Sequence, residues 1–471
     1  MAEHADVIVV GLGTCGEDIG LRLAEAGLDV VGVEQALLGG ECAYWACIPS
    51  KMMIRAAKLL QEARRVDGVA GRTEVTADWA PVAKRVREEA SGGWDDSTAV
   101  ARFQAKGGRF VRGRGALAGP KTVTVGGEAY TASRGVVIAT GSKPTIPPIP
   151  GLDEVEYWTT HELIRAEELP ASMIVLGGGA VGCELGQVLS RFGVEVTVVE
   201  ARERLLPAEE PEASELLGAI FREEGIAVHA GARAERVESR GAALVLSIEG
   251  GTELSAERLL IVTGRSANLE GLGLESAGLD DSSGFVQVDG HLRAGEGVWA
   301  IGDVTGKGMF THTALYQATL AAADILGEAP PEADYRSLPR ATFTDPEIGA
   351  VGLTEADARS AGLDIAVVVK NVPATFRGWL HGPGNEGVVK LVLDRATGAL
   401  VGATAVGPAG GEVLGLLGLA VHARVTAQTL RGMIYAFPTF HGAVGEALGA
   451  YARGIGKVLD PTFEPGEAWT L

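Results

Sequence analysis

The sequence is poor in cysteine, in aromatic residues and in positive charge, and it has no long hydrophobic run. Its 471 residues contain 4 cysteines, too few for a disulfide scaffold in a chain of this length. No apolar stretch is long enough to cross a membrane, and the first predicted strand begins so near Met1 that we expect no signal peptide. Lysine and arginine number 41 against 61 aspartates and glutamates, and the resulting net charge of −20 argues against nucleic acid as a partner. These absences predict a cytoplasmic protein without a membrane span.

What the chain has instead is length and small apolar residues. Its size suggests about three domains, each with an ample core. Hydrophobic residues make up 46% of the chain, aromatic residues only 5%, and there are 67 glycines. Alanine, glycine and valine suit closely packed layers of helices and strands, so the composition favours an α/β fold.

The N-terminal residues predict a dinucleotide-binding unit. A strand at residues 6–10 leads into a glycine turn and a helix at 19–26, and a second strand at 29–33 ends at Glu34. The glycines of the turn are Gly11, Gly13 and Gly16. They let backbone amides and the helix N-terminus face a pyrophosphate, while the acid can bind a pair of ribose hydroxyls.

The same pattern occurs again in the middle of the chain. A strand at residues 173–176 precedes a turn with Gly177, Gly179 and Gly182, and a strand at 195–199 ends at Glu200. Two such units predict two bound dinucleotides. An acid at this position favours the free 2′-hydroxyl of NADH, because it would repel the 2′-phosphate of NADPH. The nearby Arg202 and Arg204 could weaken that preference.

Two cysteines follow the first unit, in the run GGECAYWACIPSK at residues 39–51. A regular helix would hold Cys42 and Cys47 too far apart for a disulfide, which needs Cα atoms within roughly 7 Å. We therefore expect an irregular first turn, with glycines permitting a bent start and Pro49 loosening the helix near Cys47. A thiol at a helix start ionises readily. The alternative is two buried structural cysteines, which is how we interpret Cys15 and Cys183.

This run resembles the redox helix of the pyridine nucleotide–disulfide oxidoreductases, a family that includes dihydrolipoamide dehydrogenase, glutathione reductase and mercuric reductase. All positions of the family pattern Gly-Gly-x-Cys-x4-Cys-x-Pro-[Ser/Thr]-Lys are matched. The resemblance implies an α/β fold with two Rossmann-like dinucleotide-binding domains and a C-terminal α+β interface domain that forms a homodimer. We place an FAD-binding domain at 1–150, an NAD(P)-binding domain at 151–266, the return of the FAD-binding domain at 267–336 and the interface domain at 337–471.

The resemblance also implies two cofactors, FAD in the first unit and NADH in the second, with NADPH as the alternative. Two matching segments, at 136–144 and 261–265, are the points at which the chain passes from one domain to the other. Further matches are a strand at 298–304 that ends in Gly-Asp, the start of the next helix, and the opening of the interface domain at 342–354. Beside the two glycine turns and their acids, the implied cofactor-binding residues are Gln35, Gly40, Lys51, Gly115, Ala116, Thr140, Gly141, Gly264, Arg265, Gly302, Asp303, Thr311 and His312. A lone histidine such as His312 is more often structural.

Four residues are implied to carry the redox chemistry. By residue match, Cys47 is the thiol next to the flavin, and Cys42 is the interchange thiol that attacks the acceptor as a thiolate. Lys51 points at the flavin, and Glu184 is its carboxylate partner.

The chain departs from the family where other members supply an acid/base histidine. Their partner subunit carries His-Pro-Thr-x-x-Glu, in which the histidine protonates the leaving thiol and the glutamate orients it. Here the run is FPTFHG at 437–442, so Phe437 replaces the histidine and Gly442 replaces the glutamate. Phenylalanine cannot carry a proton. His441 and Glu446 keep the same five-residue offset, shifted by four positions, and could form a substitute pair.

We therefore predict an FAD-dependent oxidoreductase that uses NAD(P)H to reduce a Cys42–Cys47 disulfide. The resulting dithiol then reduces a small-molecule acceptor, which is another disulfide, a quinone or a different electrophile. One alternative is a dihydrolipoamide dehydrogenase with His441 as displaced acid/base. The other is a redox-sensing nucleotide-binding protein with little turnover. We predict no metal site, and the lack of cysteines at 461–471 disfavours a mercuric reductase.

Overall fold

A computed structural model describes residues 3–280 and 282–454, and the backbone of Lys457–Val458. The C-terminal stretch 461–471, used above against mercuric reductase, lies outside the described residues. Within the described residues, no helix combines the length and apolar character that spanning a membrane requires.

The first unit is built on a mixed sheet with β1 at its centre. Its first elements are β1 Glu3–Val10, α1 Thr14–Glu25, β2 Val30–Glu34, α2 Gly40–Tyr44, α3 Cys47–Arg64, α4 Ala80–Arg85, α5 Ser97–Ala105, β3 Gly108–Arg112, β4 Gly115–Leu117, β5 Thr122–Val125, β6 Glu128–Ile138 and β7 Ser142–Pro144. The chain later returns with β16 Arg293–Gly295, β17 Val298–Ala300 and α9 Thr311–Leu326. The strand order is β16-β17-β6-β1-β2-β3, with β5 beside β6 and β4 beside β5. The centre of β1 is fully buried on both faces, which explains its continuous run of apolar residues.

The second unit lies between the two parts of the first. Its elements are α6 Thr160–Arg165, β8 Ser172–Leu176, α7 Ala180–Arg191, β9 Glu195–Glu200, α8 Pro211–Glu223, β10 Ala227–Ala230, β11 Ala234–Arg240, β12 Ala243–Ile248, β13 Thr252–Ala256, β14 Arg258–Ile261 and β15 Arg265–Ala267. The parallel sheet has the order β10-β9-β8-β14, and β11, β12 and β13 form a separate antiparallel sheet. The two chain crossings pair with each other, because β7 and β15 form an antiparallel ribbon.

The C-terminal domain is a six-stranded sheet with helices against it. Its elements are β18 Pro339–Thr342, β19 Glu347–Gly352, α10 Glu355–Ser360, β20 Ile365–Asn371, α11 Phe376–His381, β21 Val388–Asp394, β22 Leu400–Gly407, α12 Gly410–His422, α13 Ala427–Arg431, α14 Gly442–Ala452 and β23 Lys457–Val458. The strand order is β18-β19-β22-β21-β20-β23. The domain boundaries given above keep each of the three large sheets within one proposed domain, and we retain them as a proposal.

Three local predictions need correction. The first helix starts at Thr14 rather than at residue 19, because the glycine turn leads directly into it. The strand expected at 298–304 ends at Ala300, and Gly302–Thr305 is a short 3₁₀ helix. Pro49 is the third residue of α3, where a backbone N–H lacks a helical partner in any case, so it does not loosen the helix.

Buried ion pairs hold the second unit against the C-terminal domain. The Arg191 side chain on α7 is 2% exposed and contacts Glu224 at 2.6 Å and Asp345 at 2.9 Å. Lys390 on β21 is 3% exposed and lies 2.9 Å from Glu210 at the start of α8. The contacts of Arg191 with Asp345 and of Lys390 with Glu210 cross the proposed domain boundary, so they hold the second unit against the C-terminal domain.

Candidate active site

The two glycine turns have the same construction. A Cβ added to Gly16 would lie 1.9 Å from the carbonyl oxygen of Gly11, and one added to Gly182 would lie 1.9 Å from that of Gly177. A side chain at either position would therefore separate the helix from its turn. Around Gly179 nothing lies within 4 Å of an added Cβ.

The helices that follow these turns offer their N-termini to a ligand. Neither α1, which starts after Gly13, nor α7, which starts after Gly179, has a side-chain cap. Backbone amides at the start of each helix are thus available to an anion, and the helix dipole favours one there. This geometry fits a dinucleotide pyrophosphate at each turn.

In each of the two units, the glutamate at the end of the second strand accepts a hydrogen bond from a backbone N–H of the glycine turn. Glu34 accepts hydrogen bonds from the backbone N–H of Leu12 at 2.8 Å and of Ala36 at 2.7 Å. Glu200 does the same with Gly178 at 2.6 Å and Arg202 at 2.7 Å. Ionised carboxylates have about four acceptor positions, so both acids retain capacity for ribose hydroxyls.

The two arginines after Glu200 differ in their availability. The guanidinium of Arg204 donates to the carbonyls of Leu206, Pro207 and Glu209 and to the hydroxyl of Ser214, at distances of 2.5 to 3.0 Å. It is occupied in holding this loop. The Arg202 side chain is exposed, so it is the member of the pair that can approach a 2′-phosphate.

The residues predicted to lie on the FAD side follow the carboxyl ends of β6 and β17 or open β4. Thr140 and Asn268 exchange hydrogen bonds, each 3.0 Å long. Gly141 has φ +66°, a conformation that favours glycine. Asp303 accepts a 2.5 Å hydrogen bond from the hydroxyl of Ser142. Gly115 and Ala116 open β4, and Gly302 donates its N–H to Gln317 at 2.6 Å.

Three further residues that were predicted to bind a cofactor lie in three different environments. Gln35 is exposed just after β2. Gly264 has φ +128° and accepts a 2.9 Å hydrogen bond from Thr145. The ring of His312 stacks on Phe310 and contacts the carbonyl of Pro339 at 2.9 Å, so it is directed toward the C-terminal domain. Its assignment to the cofactor remains a prediction.

The redox segment is broken between the cysteines, as expected. α2 ends at Tyr44, the backbone of Ala46 has φ −140° and ψ −97°, and α3 begins at Cys47. The interruption lets Cys42 and Cys47 approach each other, and they share a hydrogen bond. Both are free thiols in the structure, so the disulfide remains a prediction. Tyr44 lies in the core, 8% exposed.

The environment of the pair makes Cys47 the thiolate. The hydrogen bond from Cys42 is the largest cause, and together with the Thr311 hydroxyl and the Lys51 charge it lowers the pKa of Cys47 to about 6, against the effect of burial. The same hydrogen bond and burial raise the pKa of Cys42. Thr311, the first residue of α9, lies 3.3 Å from the Cys47 sulfur. Burial also raises the pKa of Cys15, to about 12, and that of Cys183, as expected for packing residues.

Lys51 and Glu184 form the expected pair. The lysine Nζ lies 2.8 Å from Glu184 Oε2, and the carboxylate is 5% exposed. The second oxygen of Glu184 accepts the Phe343 N–H at 2.7 Å, and the Lys51 ammonium lies 4.8 Å from the centre of that ring. One carboxylate therefore joins α3, α7 and the C-terminal domain.

Sequence reasoning missed the partners of Glu41, the residue before Cys42. Its carboxylate binds Arg265 at 3.0 Å and His161 at 2.9 Å. Arg265 was predicted only as a cofactor residue, and His161 was not predicted at all. A carboxylate next to the first cysteine was the available signal. Trp45, between the cysteines, is 8% exposed and stacked on His161, so it is a packing residue.

The segment that departs from the family lies before α14. Phe437 is 70% exposed, and its ring meets Phe376 edge-on at 5.0 Å. His441 Nε2 lies 3.3 Å from the Thr439 hydroxyl. Among the hydrogen bonds of the described residues, none joins His441 to Glu446, whose pKa is raised by burial. All these contacts are within the C-terminal domain.

The fold and the site together define a two-dinucleotide oxidoreductase with a cysteine pair. Residues 5–318 match the pyridine nucleotide-disulphide oxidoreductase family, and residues 338–448 match its dimerisation domain. The chain therefore belongs to the pyridine nucleotide–disulfide oxidoreductase family, whose members are FAD-dependent and use NAD(P)H. The predicted fold class and enzyme class are thus confirmed.

Three similar proteins illustrate the range of the family. A dihydrolipoyl dehydrogenase from Chlorobaculum tepidum is 36% identical over 460 residues, covering 95% of this chain and 97% of that protein. A mercuric reductase from Staphylococcus aureus is 32% identical, covering 90% of this chain and 78% of that protein. The HOCl-induced flavoprotein disulfide reductase RclA from Escherichia coli superposes with a TM-score of 0.84 at 26% identity, covering 94% of this chain and 99% of that chain.

Proposed function

We propose that this protein is an NADH-dependent flavoprotein reductase that works as a homodimer. It reduces Cys42–Cys47 and then a small-molecule electrophile at Cys42. When bound, FAD would supply the chemistry that converts hydride transfer from the nicotinamide nucleotide into reduction of the disulfide, and Glu34, Thr140 and Asp303 are among the residues that would hold it. The observation that carries the proposal is the placement of Cys47 at the start of α3, hydrogen-bonded to Cys42 and Thr311 and one turn from the Lys51–Glu184 pair.

The two thiols have different tasks. Reduction of the disulfide leaves a stabilised thiolate at Cys47, because its pKa is lowered to about 6. The proton stays on Cys42, whose pKa is raised. Cys42 therefore has to lose a proton before it attacks, and Cys47, hydrogen-bonded to it, is the group in contact that can accept one. After attack, Cys47 releases that proton to solvent, and its thiolate displaces the reduced product from Cys42 as an anion and re-forms the disulfide.

The product leaves without the usual proton donor. Phe437 stands where other members of the family carry the acid/base histidine, and it has no titratable group. The site therefore favours acceptors whose reduced form leaves readily as an anion. Small disulfides with acidic thiols and quinones meet this requirement. In the proposed dimer, the exposed Phe437 would face the partner subunit's cysteine pair through the dimerisation domain.

NADH is the proposed nucleotide. Glu200 is 9% exposed and fixed by two backbone amides, so it cannot turn away from a 2′-phosphate. Arg204 is occupied with loop carbonyls, so of the two arginines that follow Glu200 it is Arg202 that can oppose this preference.

Dihydrolipoamide dehydrogenase activity is the second candidate. It is favoured by the name of the relative from Chlorobaculum tepidum, 36% identical along nearly the whole chain. It would require His441 to act as displaced acid/base, although its present contact is with Thr439.

Turnover of the purified protein separates these proposals. We expect a yellow protein that oxidises NADH with a quinone or an activated disulfide such as dithionitrobenzoate, and much more slowly with lipoamide. Rapid lipoamide turnover supports the second candidate. A folded protein that binds neither FAD nor NADH would overturn both, and tight binding of both without turnover of any acceptor would indicate the sensor alternative.

A further inference from the structure

Phe343, in the connection between β18 and β19, contacts Lys51 both directly and through Glu184. The lysine Nζ lies 2.8 Å from Glu184 Oε2 and 4.8 Å from the centre of the Phe343 ring. The other oxygen of the same carboxylate accepts a hydrogen bond from the Phe343 N–H at 2.7 Å. The backbone of Phe343 thus holds the carboxylate that pairs with the lysine, and its ring contacts the lysine itself.

The segment 343–345 is in turn fixed by side chains of α7. Gln187, which is 3% exposed, accepts a hydrogen bond from the Asp345 N–H at 2.8 Å and donates one to the Asp345 carbonyl at 2.9 Å. Arg191, one turn further along α7, contacts the Asp345 carboxylate at 2.9 Å. Together with the contact from Glu184, side chains on successive turns of α7 hold the segment. The Phe343 ring therefore has a fixed place relative to this helix.

The ion pair with Glu184 is not sufficient to keep the Lys51 side chain in one place. The lysine side chain is 38% exposed, and solvent screens a pair whose cation is this accessible. Ordering a lysine also costs the entropy of its rotamers. A cation within about 6 Å of an aromatic ring centre is attracted by the ring face, so the contact with Phe343 adds a second attraction at the same place.

The place of the Lys51 ammonium matters for the redox centre. Lys51 is one helical turn after Cys47 on α3, and its charge is among the causes that lower the pKa of Cys47. The strength of this effect depends on the distance between the two groups. A lysine that spends part of its time in solvent would therefore stabilise the thiolate less.

Two other cations line the small cavity beside the Phe343 ring, and both are engaged elsewhere. Lys58 lies 2.5 Å from Glu347, and Arg191 lies 2.6 Å from Glu224. Their carboxylate partners hold them away from the place of Lys51. We therefore expect neither side chain to substitute for Lys51 when its own contacts are weakened.

We propose that Phe343 is a positioning residue for Lys51, and that its ring keeps the ammonium beside Glu184. The C-terminal domain thereby contributes to the redox centre of its own subunit. The consequence for reactivity rests on the proposed function, in which the Cys47 thiolate re-forms the disulfide. The position of the lysine does not depend on that function and is measured separately.

The first test is acetylation of Lys51 by limiting acetic anhydride in the holoenzyme, followed by peptide mass spectrometry. The rate is compared with that of Lys84, whose side chain is 66% exposed. Phe343→Leu removes the ring and keeps the backbone N–H, so it should accelerate acetylation about two- to five-fold. Phe343→Tyr keeps the ring and should match wild type. The control is Phe110→Leu, which removes a ring 4.7 Å from the Arg112 guanidinium and should leave Lys51 unchanged.

The second test is the pKa of Cys47, measured by NMR of the reduced holoenzyme labelled with ¹³C at the cysteine Cβ atoms. Phe343→Leu should raise this pKa from its value of about 6, because the lysine is in place for less of the time. The shift should be smaller than that in Lys51→Met. In the Lys51→Met background, Phe343→Leu should have no further effect, whereas an effect through packing alone would persist there.

Three outcomes overturn the proposal. One is an acetylation rate of Lys51 that is unchanged in Phe343→Leu, and another is an equal acceleration in Phe343→Tyr. If Phe343→Leu does not fold, Gln187→Met frees the segment 343–345 and keeps the ring, and a wild-type rate in that variant is the third. Acetylation needs no acceptor turnover, so these failures are distinct from failure of the proposed function, which Cys42→Ser tests directly.

Discussion

Lys51 Nζ lies 2.8 Å from Glu184 Oε2, and this contact joins α3, the helix that Cys47 begins, to α7, the helix after the second glycine turn. The lysine side chain is 38% exposed and the carboxylate 5% exposed. The same lysine contributes to the low pKa of Cys47, after the Cys42 hydrogen bond and the Thr311 hydroxyl. The Lys51–Glu184 pair therefore links the second unit to α3, and its lysine also helps to lower the pKa of Cys47.

The first prediction concerns the pKa of Cys47. Removing the Cys42 hydrogen bond in Cys42→Ala should raise it most from its value of about 6, Thr311→Val less, and Lys51→Met least. Thiolate absorbance in the reduced apoprotein, titrated with pH, measures each shift. A larger shift in Lys51→Met than in Cys42→Ala would show that charge, not the hydrogen bond, dominates.

The second prediction separates the two thiols. Cys42→Ser should abolish turnover of disulfide acceptors and leave reduction of the flavin by NADH intact, because that step does not use the outer thiol. Stopped-flow loss of the flavin absorbance gives the rate. Loss of flavin reduction in a folded Cys42→Ser variant would mean that the thiol roles are assigned wrongly.

The third prediction concerns the choice of nucleotide. Glu200→Ala should weaken NADH binding by about 1–3 kcal/mol through lost hydrogen bonds to the ribose, and so narrow the preference over NADPH. Arg202→Ala should widen that preference, whereas Arg204→Ala should mainly destabilise the loop. Steady-state constants for both nucleotides decide this. A wild-type preference for NADPH would contradict the role given to Glu200.

The fourth prediction restores the missing acid. Phe437→His with Gly442→Glu should raise lipoamide or glutathione disulfide reduction, by up to about 10²–10⁴-fold, the usual contribution of general acid catalysis. Position 442 can take a side chain, because an added Cβ would lie 3.4 Å from its nearest neighbour, the Thr439 hydroxyl. The gain should depend on pH in the range where histidine titrates.

Its control is His441→Ala, made in both backgrounds. In the double variant it should have little effect. In the wild type it should also have little effect if His441 is a bystander, and a large one if it is the displaced acid. Fast wild-type disulfide reduction that survives Phe437→Ala and His441→Ala would show that another group moves the proton.

The fifth prediction concerns stability. Arg191→Met removes the buried cation from Glu224 and from Asp345 across the domain boundary, and should cost about 3–5 kcal/mol, as expected for a broken buried pair. Arg240→Met removes exposed contacts to Glu238 and Glu253, and should cost far less, because solvent screens exposed ion pairs. Urea unfolding of both variants gives the comparison. Equal losses would mean that Arg191 is not a structural link between the domains.

The parts of the site set by local sequence were predictable, and the parts set by long-range contacts were not. Glycine spacing located both nucleotide turns, and the five-residue separation of Cys42 and Cys47 required the helix break that the structure contains. Lys51 and Glu184 could be paired only through the resemblance, since 133 positions separate them. No local signal joins Glu41 to His161 or Arg265, because those partners come from both ends of the second unit.

Two errors have a common physical cause. The effect of Pro49 and the start of the first helix were predicted from residue type alone. The position of each residue within its helix decides both. A proline in the first helical turn removes an N–H that has no partner there. A glycine turn can likewise pass directly into a helix, so α1 begins before its apolar periodicity does.

The β7–β15 ribbon has a consequence for how this chain could be rearranged. Thr145 N–H donates to the Gly264 carbonyl at 2.9 Å, and the Thr263 hydroxyl donates to the Thr145 carbonyl at 2.8 Å. The chain therefore leaves and rejoins the first unit at adjacent points, and the second unit is topologically an insertion whose two ends already meet. A short turn could replace the second unit without altering the strand order of the first sheet, but the exchange would remove Glu184, the partner of Lys51, and His161, a partner of Glu41.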